Sequence, residues 1–217
     1  SPILCHGGLA TISINTTGGS SNYSSTFNVP AGSHNYTIID ANGCTSSASI
    51  TVTQPDSLKA ITSFTPINCF GGTTTAIVNA IGGTSPYTGV GNFNENSGLH
   101  TFNISDANGC TAVSTISLGQ PSQLIVSAIP GTINCNGGTT TVNVTASGGT
   151  TPYSGTGNFS AQAGNHTYTV TDANGCTESI TIAITQSSNP VTINITQIAP
   201  ILCYGQLATI QVSGTGG

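Results

Sequence analysis

One pentapeptide, DANGC, occurs three times at a constant spacing, and this repetition constrains the fold of the 217-residue chain more than any other feature. The copies end at Cys44, Cys110 and Cys176, so the two steps are equal (110 − 44 = 66 and 176 − 110 = 66). The other four cysteines open C-x-G segments at nearly the same spacing; they are Cys5, Cys69, Cys135 and Cys203. A period of this size indicates that one small structural unit of about 66 residues is copied along the chain.

Short linkers mark the predicted borders of these units, and proline lies in or beside them. We expect repeat 1 at 1–55 without its first strand, repeat 2 at 56–121, repeat 3 at 122–188 and the start of repeat 4 at 189–217. Residues 1–19 match residues 199–217 at 12 of 19 positions, and residues 65–83 match residues 131–149 at 12. Two subtypes therefore occur in the order first, second, second, first, which predicts a longer chain with a three-unit period.

Within each unit, apolar residues alternate with Ser, Thr and Asn. A period of two is typical of half-buried antiparallel strands, and turn clusters at short intervals are typical of an all-β sandwich. Before each GG pair the apolar positions are Ile12 and Ile14, Ala76 and Val78, and Val142 and Val144. After DANGC the first unit has Ala48, Ile50 and Val52, and the later units repeat the pattern. We therefore predict an all-β fold.

The chain carries very little charge, which excludes several classes of function. It has one Lys or Arg residue and 3% charged residues, against about 25% in an ordinary domain. A single cation cannot neutralise a row of phosphates, so nucleic acid is not expected as a partner. No run of 18 apolar residues occurs, so membrane insertion is not expected either. Seven cysteines in such a chain indicate an oxidising, extracellular setting.

The DANG tetrapeptide predicts a tight turn with a structural role. An Asp side chain can accept hydrogen bonds from the backbone ahead of it, and Asn and Gly tolerate left-handed backbone angles. The predicted turn residues are Asp40, Asn42, Gly43, Asp106, Asn108, Gly109, Asp172, Asn174 and Gly175. The same letters resemble the start of a calcium loop, but the downstream Glu of that loop is missing. We therefore favour the plain turn.

Neither a metal centre nor a catalytic site is predicted. His34, His100 and His166 recur at the spacing of the DANGC motif, but each stands without a second ligand at metal-binding spacing, so we expect structural or surface roles. Abundant serine is no evidence for a catalytic triad, because a triad is defined by geometry. We expect no enzymatic activity and no cofactor.

The pattern C-x-G-G, strand, SGGT-x-PY, TYTVTDANGC, strand, TQP resembles the SprB-type repeat. The best match runs from Cys135 to Gln186. That family occurs in giant surface adhesins of gliding bacteria that the type IX secretion system exports. The resemblance implies an immunoglobulin-like antiparallel β-sandwich, repeated along an extracellular, non-catalytic rod. By the same analogy, Asp56-Ser57-Leu58 resembles a motif that such bacteria O-glycosylate, which predicts modification of Ser57.

Two functions are consistent with this resemblance. The first is a structural stalk or fibre at the cell surface that serves adhesion or gliding motility, with neighbouring copies of the same repeats as partners. The second is an adhesive module that binds glycan, such as surface polysaccharide, or calcium directly. We favour the stalk, because the outward strand faces carry Ser, Thr and Asn without an aromatic cluster for stacking on sugar.

Two disulfide pairings remain open, and free thiols or other pairings are the third alternative. The first joins cysteines within a unit: Cys5–Cys44, Cys69–Cys110 and Cys135–Cys176. The second follows from the strand order that the resemblance implies, which puts the two cysteines of a unit at opposite ends of the sandwich. In a head-to-tail stack this order favours Cys5–Cys110 and Cys69–Cys176, with Cys44, Cys135 and Cys203 bonded to units outside this chain.

Overall fold

A computed structural model describes residues 1–20 and 23–216, and these residues form sixteen strands and no helix. The all-β prediction is therefore confirmed. Consistent with this, the described part of the chain holds no helix that is long and apolar enough to cross a membrane. The pairings between these sixteen strands are antiparallel. The chain divides into two compact units. The first comprises Ser1–Ile67 and Gly71–Gly119, and the second comprises Asn68–Phe70 and Gln120–Gly217.

The strands follow the predicted repeats, although the borders of those repeats stay a prediction. Repeat 1 holds β1 (Ala10–Asn15), β2 (Ser24–Val29), β3 (Gly32–Ile39) and β4 (Thr45–Val52). Repeat 2 holds β5 (Lys59–Phe64), β6 (Thr74–Ile81), β7 (Gly91–Glu95), β8 (Gly98–Ser105) and β9 (Thr111–Leu118). Repeat 3 holds β10 (Ile125–Pro130), β11 (Thr139–Ser147), β12 (Gly157–Gln162), β13 (Gly164–Thr171) and β14 (Thr177–Ile184). The last segment holds β15 (Thr192–Ala199) and β16 (Thr209–Thr215).

Repeats 2 and 3 are each built from one three-stranded and one two-stranded sheet. The orders are β5-β6-β7 with β8-β9, and β10-β11-β12 with β13-β14. Repeat 1 has the pairs β1-β2 and β3-β4, and its described residues include no strand that corresponds to β5 and β10. The last segment has the pair β15-β16.

The alternating residues of both sheets in a repeat share one apolar cluster, so the core lies between the sheets. In repeat 2 the buried members are Ala76 and Val78 from β6 and Phe102 and Ile104 from β8. In repeat 3 a larger cluster includes Val142, Val144 and Val170. Burying alternate side chains on one face of each sheet removes apolar surface from water while the other face keeps its hydroxyls and amides hydrated.

Repeat 1 departs from this pattern at β4. Ala48 is exposed and Ile50 is 44% exposed, although both stand at apolar positions of the alternation. The equivalent side chains Ile116 and Ile182 are half-buried and pack against the clusters of their repeats. The physical reason is that the described residues of repeat 1 include no strand over this part of the second sheet, where β5 and β10 lie in repeats 2 and 3.

Candidate functional site: the joint between repeats

The DANGC segment is a turn held by its own aspartate. Oδ1 of Asp106 accepts hydrogen bonds from the backbone N–H groups of Asn108 at 3.0 Å and Cys110 at 2.9 Å. Gly109 follows with φ of 81°, a left-handed angle that suits glycine. Asp40 with Gly43 and Asp172 with Gly175 repeat the same arrangement. In each copy, the hydrogen bonds that Oδ1 of the Asp accepts from the backbone therefore stabilise the turn.

The second carboxylate oxygen ties the turn to the GG loop of the same repeat. Oδ2 of Asp106 accepts from the N–H of Thr84, and Oδ2 of Asp172 accepts from the N–H of Thr150, both at 2.9 Å. These carboxylates are buried, and both of their oxygens are occupied by backbone donors. A calcium ion would have to displace those donors, so the geometry favours the structural turn.

The asparagine of the motif has a role that sequence reasoning missed. Nδ2 of Asn108 donates to the carbonyl oxygen of Leu4 at 3.0 Å, in the C-x-G loop of the preceding repeat. Nδ2 of Asn174 donates to the carbonyl oxygen of Asn68 at 2.9 Å in the same way. The signal was present in the sequence, since the Asn recurs three times, but its partner lies more than a hundred residues away. We call each DANGC turn together with the C-x-G loop that it contacts an inter-repeat joint.

A disulfide closes each joint beside this hydrogen bond. Cys5 bonds Cys110 and Cys69 bonds Cys176, with 5.7 Å between the Cα atoms in both pairs. The pairing between adjacent repeats is thus present, and the alternative pairing within a repeat is wrong. Residues 68–70 pack with the second compact unit, so each joint lies inside one unit.

A disulfide within one repeat is excluded by the length of the strand that separates the two cysteines of that repeat. Cys44 immediately precedes β4, whereas the C-x-G loop contacts the residues that follow β4. The N–H of Gly7 donates to Oε1 of Gln54 at 2.8 Å, and Nδ1 of His6 lies 3.2 Å from the carbonyl oxygen of Pro55. An eight-residue strand spans about 26 Å, but a disulfide needs Cα atoms within about 7 Å.

The remaining three cysteines, Cys44, Cys135 and Cys203, are exposed thiols. Their predicted partners belong to units outside this chain, so that part of the pairing stays a prediction. Ser57 is exposed on the segment between β4 and β5, and its O-glycosylation likewise stays a prediction.

The three recurring histidines lie near the start of the second sheet in each repeat. In His34, His100 and His166, Nε2 is 2.9 Å from the carbonyl oxygen four residues earlier. Nδ1 of His100 also lies 2.9 Å from Oε2 of Glu95. These contacts support structural roles. Among residues 1–20 and 23–216, no group of three or more His, Cys, Asp or Glu side chains could hold a metal ion.

Hydrogen bonding lowers the pKa of each turn carboxylate. At Asp40 the strongest cause is the bond from the backbone N–H of Cys44, and the pKa lies below the ordinary value. At Asp106 and Asp172 burial by itself raises the pKa. The backbone bonds, first those from Thr84 and Thr150 respectively, outweigh burial and lower the pKa overall.

These lowered pKa values predict loss of stability in acid. An aspartate whose pKa is lower in the folded than in the unfolded state contributes stability that is fully present above the unfolded pKa of about 4. That contribution is lost as the pH falls through the folded-state pKa. We expect the thermal midpoint to stay level from pH 7 to about pH 5 and to fall below about pH 4. Asp106→Asn with Asp172→Asn should flatten this fall, and an equally steep fall in the double variant would contradict the assignment.

The GG pair gives the aspartate its close approach to the loop. Gly83 and Gly149 have φ of 62° and 56°, and a Cβ atom on either would lie 2.7 Å from Oδ2 of Asp106 or Asp172. The recurring tyrosine closes the same loop, since Tyr87 Oη donates to the carbonyl oxygen of Gly82 at 2.8 Å. The GG and Tyr recurrences were visible in the sequence, but the contact that requires them was not.

Substituting Gly149 by Ala tests this approach. The new Cβ would meet backbone strain and the carboxylate of Asp172, so we expect a loss of about 2–4 kcal/mol in the free energy of unfolding. Gly175→Ala is the matched control, because Gly175 also has a positive φ but a Cβ there has open space. That control should cost only about 1 kcal/mol. Chemical denaturation measures both, and equal losses would show that the approach to Asp172 is unimportant.

No family model and no curated protein matches this chain.

Proposed function

We propose that the chain is a structural repeat region, a stalk or fibre, of a large secreted bacterial cell-surface adhesin or extracellular filament. In this proposal its repeats are small immunoglobulin-like sandwiches of the SprB type that serve surface adhesion or gliding motility. The observation that carries the proposal is the repeated joint: the same disulfide and the same Asn hydrogen bond connect successive repeats twice.

The order of the two disulfides explains why such a joint suits a stalk. Cys69 lies before Cys110 in the chain, so the two closed loops overlap. Tension applied along the chain at Cys5 passes through the first bridge to Cys110, back along the chain to Cys69, and through the second bridge to Cys176. Unfolding of the strands therefore lengthens the chain much less than it would without the bridges.

Two further features support the extracellular setting. Two disulfides point to an oxidising environment, which is typical of exported proteins. The outward strand faces carry hydroxyls that pair across strands, as in Thr167 with Thr181 at 2.8 Å and Thr169 with Ser179 at 2.8 Å. Such faces can be hydrated without charged residues. The recurring aromatic residues pack on each other within a repeat, with 5.1 Å between the ring centroids of Phe93 and Phe102.

Pulling the chain from its two ends under constant force tests the stalk. Once all strands have unfolded, the oxidised chain should be shorter than the reduced chain by about 130 residues, or on the order of 450 Å at ~3.5 Å per residue. A Cys44→Ser, Cys135→Ser, Cys203→Ser variant should show the same difference, because those thiols form no bond within the chain. Equal extension of the oxidised and reduced chains would contradict the proposal.

A further inference from the structure

A glutamine follows the last strand of repeats 1, 2 and 3, and in repeats 1 and 3 it binds the C-x-G loop of the same repeat. The residues are Gln54, Gln120 and Gln186, at a constant spacing of 66 (120 − 54 and 186 − 120). Oε1 of Gln54 accepts a hydrogen bond from the N–H of Gly7 at 2.8 Å, and Oε1 of Gln186 accepts one from the N–H of Gly137 at 2.8 Å. The same side-chain oxygen therefore meets the same backbone group in two repeats.

The C-x-G loop has the same conformation whether or not its cysteine is bonded. Cys5 is in a disulfide, whereas Cys135 is an exposed thiol. In both loops the carbonyl oxygen of the cysteine accepts a hydrogen bond from the second glycine, from Gly8 at 3.0 Å and from Gly138 at 2.9 Å. The first glycine has φ of 77° in repeat 1 and 78° in repeat 3. The disulfide is therefore not what sets the conformation of this loop.

Two contacts hold the loop independently of the disulfide. An isoleucine two residues before the cysteine is buried in the core of its repeat, with Ile3 5% exposed and Ile133 8% exposed. The second glycine packs on this side chain, since a Cβ on Gly8 or Gly138 would lie 3.2 or 3.3 Å from Cγ2 of the isoleucine. The second contact is the hydrogen bond to the glutamine. The isoleucine thus anchors the loop to the core, and the glutamine ties it to the linker.

The loop held in this way receives the DANGC turn of the next repeat. The carbonyl oxygen of Leu4, beside Cys5, accepts a hydrogen bond from Nδ2 of Asn108 at 3.0 Å. Sγ of Cys110 lies 3.5 Å from the same carbonyl oxygen. A displacement of the loop would move Cys5 and this oxygen together. The place of the loop, which Gln54 fixes, therefore decides whether the two sulfurs meet.

We propose that Gln54 is a positioning residue for the Cys5–Cys110 disulfide. It holds the C-x-G loop in its final place before the bond forms, so that Cys5 meets Cys110 rather than another of the seven cysteines. Gln186 holds the Cys135 thiol in the same way. Such preorganisation reduces the conformational entropy that is lost when the bond closes, which raises the equilibrium constant for its formation.

The bond forms by two exchange steps with a small-molecule disulfide such as oxidised glutathione. The thiolate of Cys5 attacks one glutathione sulfur, forms a mixed disulfide and releases one glutathione thiolate. The thiolate of Cys110 then attacks the Cys5 sulfur and releases the second glutathione. Two protein thiols lose their protons and are oxidised to one disulfide, while one glutathione disulfide is reduced to two thiols. Gln54 acts on the second step, which is intramolecular and depends on how closely the two sulfurs are held.

The experiment equilibrates the full chain in glutathione buffers of graded redox ratio, blocks the remaining thiols by alkylation and maps each disulfide. Gln54→Met keeps the length of the side chain but removes the acceptor. We expect the equilibrium constant for Cys5–Cys110 to fall about fivefold, the usual effect of losing one hydrogen bond. The Cys69–Cys176 bond of the same molecules is the internal control and should stay within about twofold, since distant sites act independently.

Gln54→Glu is the conservative variant. Its carboxylate keeps an oxygen for the N–H of Gly7, so the equilibrium constant for Cys5–Cys110 should return to within about twofold of that of the unmodified chain. A side chain that only filled space beside the loop would be replaced as well by Met as by Glu. Rescue by Glu alone therefore assigns the effect to the hydrogen bond.

Hydrogen exchange tests the preorganisation without altering any disulfide. In the oxidised chain the loop of Cys135 carries a free thiol, and we expect the amide of Gly137 to be protected by its bond to Gln186. Gln186→Met should remove this protection. The amide of Gly7 should likewise stay protected when the chain is reduced.

The proposal would be overturned by equal falls in the equilibrium constants of both disulfides in Gln54→Met, by no recovery in Gln54→Glu, or by exchange of the Gly137 amide as fast as in the unfolded chain. The inference goes beyond the proposed stalk function, because it concerns how the bridge forms and not what the bridge is used for. The pulling experiment can therefore fail while this proposal holds, and the reverse is also true.

Discussion

Removing both disulfides is expected to lower the stability of this chain more than any other simple change. Each bond closes a loop of more than a hundred residues, with separations of 105 and 107. In the chain-entropy description a loop of this length restricts the unfolded state by about 4–5 kcal/mol. We therefore expect the Cys5→Ser, Cys110→Ser variant to lose about 4 kcal/mol, and the chain without both bonds to unfold at a much lower denaturant concentration.

Both cysteines of a pair are replaced together so that no new thiol is left to pair wrongly with Cys44. The matched control is Cys44→Ser, Cys135→Ser, Cys203→Ser, which removes three exposed thiols that are unbonded within the chain. It should change the free energy of unfolding by no more than about 0.5 kcal/mol. Urea unfolding followed by circular dichroism measures all variants, and a control as destabilised as the disulfide variants would contradict the expectation.

The second large effect is expected at Phe102. This side chain is 6% exposed in the core of repeat 2 and packs against Phe93. Phe102→Ala removes most of a buried ring and leaves a cavity, which costs about 3–5 kcal/mol. We expect a loss in this range for the repeat that contains Phe102, because each repeat buries its own cluster.

The equivalent position in repeat 1 provides the control. Tyr36 contacts Phe27 at 5.3 Å between ring centroids, but it is only half-buried. Tyr36→Ala should therefore cost about half as much as Phe102→Ala or less. Hydrogen exchange of the amides in β3 and β8 would assign each loss to its repeat. Equal losses at the two positions would show that the greater exposure of Tyr36 does not reduce the contribution of its ring to stability.

Much of the fold could be predicted because its signals are local. The alternation at Ala76 and Val78, and at Val142 and Val144, reflects the period of a strand whose one face is buried, and both pairs are fully buried. The Asp106 turn could be predicted because its donors lie two and four residues ahead. Ile50 shows where local reasoning ends: its alternation is correct, but its burial depends on a covering strand that the described residues of repeat 1 do not include.

The candidate site was less accessible to prediction. Asn108 and Asn174 stood in the recurring motif, yet their partners Leu4 and Asn68 belong to the preceding repeat. The role of Gly83 and Gly149 was missed for the same reason, since the atom each approaches lies more than twenty residues away. These residues recur in the sequence, but the recurrence does not reveal which distant residue each of them contacts.

The sequence by itself determined that this chain is a series of similar all-β units with tight Asp-centred turns and very little charge. Strand alternation and turn chemistry depend on residues a few positions apart, so they can be read without the fold. Only the tertiary structure decided between the two disulfide pairings, because Cys5 is nearer in sequence to Cys44 but nearer in space to Cys110. Which strand covers a face depends on how sheets stack, and that is settled by packing over the whole repeat.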